Sequence, residues 1–178
     1  AIAFIFTSCS NDDDNTPTVT VDAGTLSGGP FTFFVDGIPD MVTGITTDPN
    51  ATGTNRTFVI TDGDGNILGL PPTNEALEGV DFDGAGVGAC LIWYLRYEDG
   101  LVGAEMGANT NDLEGNFDLS NSILVTRNEG PNAGTLSGGP FTFCVDSDAS
   151  TVSGITTDPN ATGANRTFII TDANGIIL

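Results

Sequence analysis

The chain contains no lysine and no histidine, and its four cations are Arg56, Arg96, Arg127 and Arg166, set against 24 Asp and Glu. Each absence removes a chemistry. Without histidine there is no Ser–His or Cys–His nucleophile pair and no imidazole metal ligand. Without lysine there is no Schiff base and no P-loop lysine. The formal net charge of −20 repels nucleic-acid phosphates and anionic membrane surfaces, so no nucleic-acid partner is expected. The same charge keeps an extended surface protein soluble, at the cost of self-repulsion that salt or divalent cations relieve. A saline, oxidising exterior suits this balance better than cytoplasm does. Carboxylate chemistry and oxygen-ligated cations stay open, which leaves Ca²⁺ as the one cofactor candidate.

What is present points to β structure. Apolar residues make up 39% of 178 positions, enough for a core in one or two domains. Glycine is high at 24, and Thr, Asn and Asp are abundant, a mixture that suits short strands joined by tight turns.

The first residues read as a processing signal. Ala1 to Phe6 are apolar, a run too short to span a bilayer, and small residues and Cys9 follow. Residues 1–9 are therefore expected to be the end of a signal peptide whose start precedes Ala1. Phe6-Thr7-Ser8-Cys9 resembles the lipobox of bacterial lipoproteins, with Phe6 where Leu is usual. That resemblance implies acylation of Cys9. Ser10, Asn11, Asp12, Asp13 and Asp14 then resemble the acidic tag of surface-exported lipoproteins of Bacteroidetes, implying a lipid-anchored protein on the outside of the outer membrane. The physical logic is independent: acyl chains enter lipid, and an acidic, Thr-rich tether over residues 10–22 holds the folded part away from it.

A long internal repeat follows. Residues 23–68 recur as residues 133–178, without a gap, at an offset of 110, and 34 of the 46 positions are identical. A solenoid unit is roughly 20–50 residues, whereas 110 is the size of a self-contained domain. The expected organisation is one complete repeat over 23–130 and a second over 131–178 that continues past Leu178. The copies differ most where Gly37-Ile38-Pro39-Asp40-Met41 becomes Ser147-Asp148-Ala149-Ser150-Thr151, as a surface loop would.

Within the unit, Phe31, Phe33 and Val35 alternate with Thr32, Phe34 and Asp36, a strand period. Met41–Thr46 is expected to be a short strand. Thr57–Thr61 and Asn66–Leu70 flank Asp62-Gly63-Asp64-Gly65 as a hairpin. Cys90–Tyr97 is apolar on both faces and should be central, one helical turn is expected within Thr110–Glu114, and Ser122–Arg127 should close the domain. About seven strands in this length suggest an all-β fold, an immunoglobulin-like β-sandwich repeated in tandem. Another sandwich topology would read the same way.

The unit also resembles a repeat of long cell-surface proteins of marine flavobacteria. The matching stretches are Ser27–Phe33, Val80–Gly86, Leu91–Leu95, Tyr97–Gly100 and Phe117–Asn121. The resemblance implies surface location and tandem architecture and carries no activity with it. Copies of that repeat often have cysteine at the positions of Phe34 and Asn116. Their joint loss here implies that Cys90 is a buried free thiol and that Cys144 pairs beyond Leu178. Connectivity itself is not readable from sequence.

Several residues are candidates for chemistry, each with a plainer structural role. Asp62, Asp64 and Asn66 are spaced as in a calcium loop, yet the second copy reads Asp172-Ala173-Asn174-Gly175-Ile176 and no glutamate closes the set. A Gly-rich hairpin turn is the better reading. Asp81, Asp83, Glu98 and Asp99 flank the apolar strand and would bind Ca²⁺ if the fold converged them; as Asp-before-Gly they are turn formers. A glycosidase acid/base pair among them would need a cleft that nothing in the sequence suggests. Trp93 and Tyr97 on one face, with Tyr94 on the other, are either a sugar platform or core. Asn50-Ala51-Thr52 and Asn55-Arg56-Thr57 match the N-glycosylation pattern, which carries little weight in a bacterial lipoprotein. The expected role is a structural or adhesive surface repeat without catalysis, with an extracellular glycan or another surface as partner. The alternative is a carbohydrate-binding or spacer module of a larger surface glycan-processing enzyme.

Overall fold

The computed structural model describes residues 20–145 and 148–178. The signal-like run, Cys9 and the tag Ser10, Asn11, Asp12, Asp13 and Asp14 lie outside the described residues.

The described part of the first repeat holds strands β1 (Leu26–Ser27), β2 (Phe31–Val35), β3 (Thr46–Thr47), β4 (Asn55–Thr61), β5 (Ile67–Gly69), β6 (Gly88–Tyr97), β7 (Phe117–Leu119) and β8 (Ile123–Glu129). One short helix, α1 (Asn74–Glu78), lies between β5 and β6. The class is all-β. The main sheet runs β2-β8-β6-β4-β5, and β7 pairs with the end of β6 on the edge that β8 leaves free. β2 lies parallel to β8, with Phe31 opposite Val125, and the other pairings are antiparallel. β1 and β3 form a separate two-stranded ribbon.

β6 is central because it is apolar on both sides. Alternation sends Cys90, Ile92 and Tyr94 into one cluster, with Phe58, Ile60, Ile123 and Val125. It sends Trp93, Leu95 and Tyr97 into a second, with Val59 and Ile67. Ile92 and Leu95 are both fully buried, and each such side chain contributes about 1.5–3 kcal/mol. β2 follows its expected alternation, with Phe31, Phe33 and Val35 half-buried and Thr32 and Phe34 exposed.

The stretch Phe117–Asn121 ties the amino-terminal segment to this sheet. Ser120 donates its N–H to the Tyr94 carbonyl, and its Oγ accepts the Tyr94 N–H at 2.9 Å. Asp118 accepts the Ala23 N–H at 2.8 Å. Asn121 takes both backbone groups of Leu26, accepting its N–H at 2.8 Å and donating to its carbonyl at 2.9 Å.

One expectation needs correction. The strand expected over Met41–Thr46 is confined to Thr46–Thr47. Val42 and Ile45 are buried but stand three apart, and Gly44 between them has φ +72°, which breaks the two-residue period. The strand expected over Ser122–Arg127 is β8, which closes the first repeat as expected, and in the sheet it lies between β2 and β6. α1 was not anticipated; the Thr73 side chain caps it by accepting the Ala76 N–H, and Leu77 anchors it in the core. The expected helical turn is the 3-10 turn Thr110–Asp112.

In the second copy, β9 (Leu136–Ser137) pairs with β10 (Thr156–Thr157) in the register of β1 with β3. Phe168 and Ile170, counterparts of the buried Phe58 and Ile60, are 64% and 69% exposed. In the first copy Phe58 and Ile60 share their cluster with Cys90, Ile92, Tyr94, Ile123 and Val125 of β6 and β8.

Candidate functional site

The hairpin between β4 and β5 forms as expected, and Asp62 is its staple. Its Oδ1 accepts the N–H of Asp64 at 3.0 Å and of Asn66 at 2.8 Å, and its Oδ2 accepts Asn66 Nδ2 at 2.8 Å. The Asn66 side chain, with help from backbone donors, holds the Asp62 carboxyl below the ordinary carboxylate value. Gly65 sits at φ +86°, and a Cβ there would meet Thr110 Oγ1 at 3.0 Å. The second copy keeps the backbone bonds of this turn, with Ile176 in the place of Asn66. Asp172 accepts the N–H groups of Asn174 and Ile176, and the Ile176 N–H lowers its pKa most. Residue 64 donates only its backbone N–H to the turn, so Asp64 becomes Asn174 without loss.

Asp81 and Asp83 are brought together and clamp the variable loop. Asp83 is buried and accepts the N–H of Asp36 at 2.9 Å and of Gly37 at 3.2 Å. Asp81 accepts the N–H of Asp40 at 3.2 Å and of Asp83 at 2.9 Å. Both grip backbone, which explains how side chains 37–41 change between the copies. Glu98 accepts from Thr54, through the N–H at 2.9 Å and the hydroxyl at 2.5 Å, and Asp99 accepts Asn55 Nδ2 at 2.9 Å. The same bond engages Asn55 of the second glycosylation-type triplet.

The two acidic pairs do not converge. One precedes β6 and the other follows it, and ten extended residues separate them by roughly 30 Å. Among the described residues no three acidic or thiol groups gather as a cation site.

The aromatic residues divide as the alternation requires. Trp93 packs with Tyr97 in the second cluster and donates its indole N–H to the buried Thr61 hydroxyl at 3.1 Å. Tyr94 is buried in the first cluster against Phe58, ring centroids 5.2 Å apart. Cys90 is buried and unbridged, and Cys144 is exposed and unbridged. Burial pushes the Cys90 thiol up, partly opposed by the nearby Arg127 charge.

Arg127 is the residue that the sequence did not single out. On β8, Ile123, Val125 and Arg127 point inward at successive alternate positions, so the guanidinium enters the core face. Arg127 is 6% exposed, and its Nε and Nη1 are sealed from solvent with no acceptor. It lines a cleft of about 450 Å³ walled by Ile60, Leu68, Leu70, Pro71, Val80 and Phe82, with Asp81 and Cys90. Its strand neighbour Gly88 leaves room for the head group, a Cβ there lying 3.4 Å from Arg127 Nη2.

Comparison with known proteins found no family model, no curated protein and no solved structure that matches the chain.

Proposed function

We propose that this chain is a structural or adhesive repeat of a lipid-anchored bacterial surface protein, folded as immunoglobulin-like β-sandwich units in tandem and acting without catalysis. The observation that carries the reading is the recurrence of residues 23–68 at 133–178 with 34 of 46 positions identical. The identities include the β1–β3 ribbon, Asp62 and Gly65 of the hairpin turn, and the inward Phe31, Phe33, Val35, Phe58 and Ile60 of β2 and β4. The longest run of consecutive differences falls on the loop at 37–41, whose backbone Asp81 and Asp83 hold. A fold that repeats its framework and varies its loops suits a spacer that presents surfaces. In this reading Cys9 carries the acyl anchor, the tag Ser10–Asp14 directs it to the outer face of the outer membrane, and an extracellular glycan or surface is its partner.

The anchor gives the test. Radiolabelled palmitate should enter the protein in a bacterial host that acylates lipoproteins, and Cys9→Ala should abolish the label. Label persisting in the variant would overturn the lipid anchor.

A further inference from the structure

We propose that the cleft at Arg127 is a binding site for a small monocarboxylate with an apolar body. Two independent observations meet there. The first is a cavity of about 450 Å³, within the size range of small-molecule sites and walled mostly by aliphatic and aromatic side chains. The second is a cation, 94% buried by its 6% exposure, whose Nε and Nη1 have no acceptor. A buried donor without a partner is costly, and a buried charge without a counter-charge more so. Asp81 and Asp83 form no ion pair with it; their oxygens accept the N–H groups of Asp36, Gly37, Asp40 and Asp83.

The chemistry of the ligand follows from the walls. A carboxylate against the guanidinium supplies a charge-assisted bond together with the missing counter-charge, which a hydroxyl or a single carbonyl does not. Phe82, Leu70 and Ile60 then require an apolar body. Asp81, on the same wall, repels a second negative charge, so dicarboxylates and phosphate esters are disfavoured. Neither half of the site suffices alone: acetate leaves the apolar walls empty, and a neutral apolar molecule leaves the guanidinium unpaired. The site is independent of the surface reading above.

The chain has only four arginines, so each Nε–H signal is separable in a nitrogen–proton correlation spectrum of the full chain. Benzoate should shift the Arg127 Nε–H signal saturably, with a Kd of about 1 mM or tighter. Benzyl alcohol, acetate and phthalate should each bind about tenfold more weakly or not at all. Asp81→Asn should selectively improve phthalate, and Arg127→Met should weaken benzoate about tenfold or more. If Arg127→Met fails to fold, the benzoate and benzyl alcohol titrations of the unaltered chain still decide. Equal binding of benzyl alcohol would reduce the cleft to an apolar hollow and overturn the proposal. So would an Arg127 signal that benzoate leaves in place, which would mean that water alone serves the guanidinium.

Discussion

Asn121 joins the two halves of the first repeat through two bonds to one residue, and removing it has a calculable cost. Asn121→Ala deletes the bonds to the Leu26 N–H and carbonyl, at 2.8 and 2.9 Å. Each is worth about 0.5–1.5 kcal/mol, and a buried backbone group left without a partner adds to that. Leu26 is 4% exposed although Asn121 is exposed, so water replaces these bonds only in part. The expected loss is about 2–3 kcal/mol. For a unit of about 110 residues, 1 kcal/mol corresponds to about 4 °C in Tm, so the variant should melt about 10 °C lower. Trp93 is the only tryptophan and sits in the second cluster, which makes its fluorescence a direct reporter of the main sheet. Asn128→Ala, on the exposed part of β8, is the control and should move Tm by no more than about 2 °C. A melt of Asn121→Ala that overlays the control would refute the idea that Phe117–Asn121 staples the amino-terminal segment.

Two further outcomes are expected. Asp62 and Asp172 both titrate below the ordinary carboxylate value. A depressed folded pKa stabilises the fold above the unfolded pKa, and that contribution is lost as pH falls through the folded value. Tm should therefore decline on acidification below about pH 4, and the decline should be shallower in Asp62→Asn; identical slopes would count against the staple. Millimolar Ca²⁺ should raise Tm no more than NaCl at matched ionic strength, because Asp62, Asp81, Asp83, Glu98 and Asp99 already accept hydrogen bonds within the protein. A Ca²⁺-specific rise removed by Asp81→Asn or Asp83→Asn would contradict this.

Local pattern made much of the fold legible. The alternation of Phe31, Phe33 and Val35, the two-faced apolar run ending at Tyr97 and the Asp-Gly hairpin each encode their own conformation within a few residues. The parallel pairing of β2 with β8 was hidden, because it joins Phe31 to Val125 across most of the unit. α1 was hidden for the opposite reason: five residues are too few for a helical period, although Pro71-Pro72-Thr73 before Glu75 is a capping signal. The acidic candidates looked like ligands because turn staples and cation ligands use the same residues. Only the fold shows the oxygens of Asp62, Asp81, Asp83, Glu98 and Asp99 spent on donors of the chain itself, with the two pairs at opposite ends of β6. Arg127 did leave a trace, as the next inward position after Ile123 and Val125, but its lack of an acceptor is a property of the folded state.

The claim that residues 20–130 form a self-sufficient unit rests on both hydrophobic clusters lying within that span. Expressed alone, those residues should give a β-type circular dichroism spectrum. They should also show one cooperative unfolding transition, at the midpoint reported by Trp93 in the full chain. A fragment that stays unfolded by itself and gains structure only with residues 131–178 attached would contradict the account.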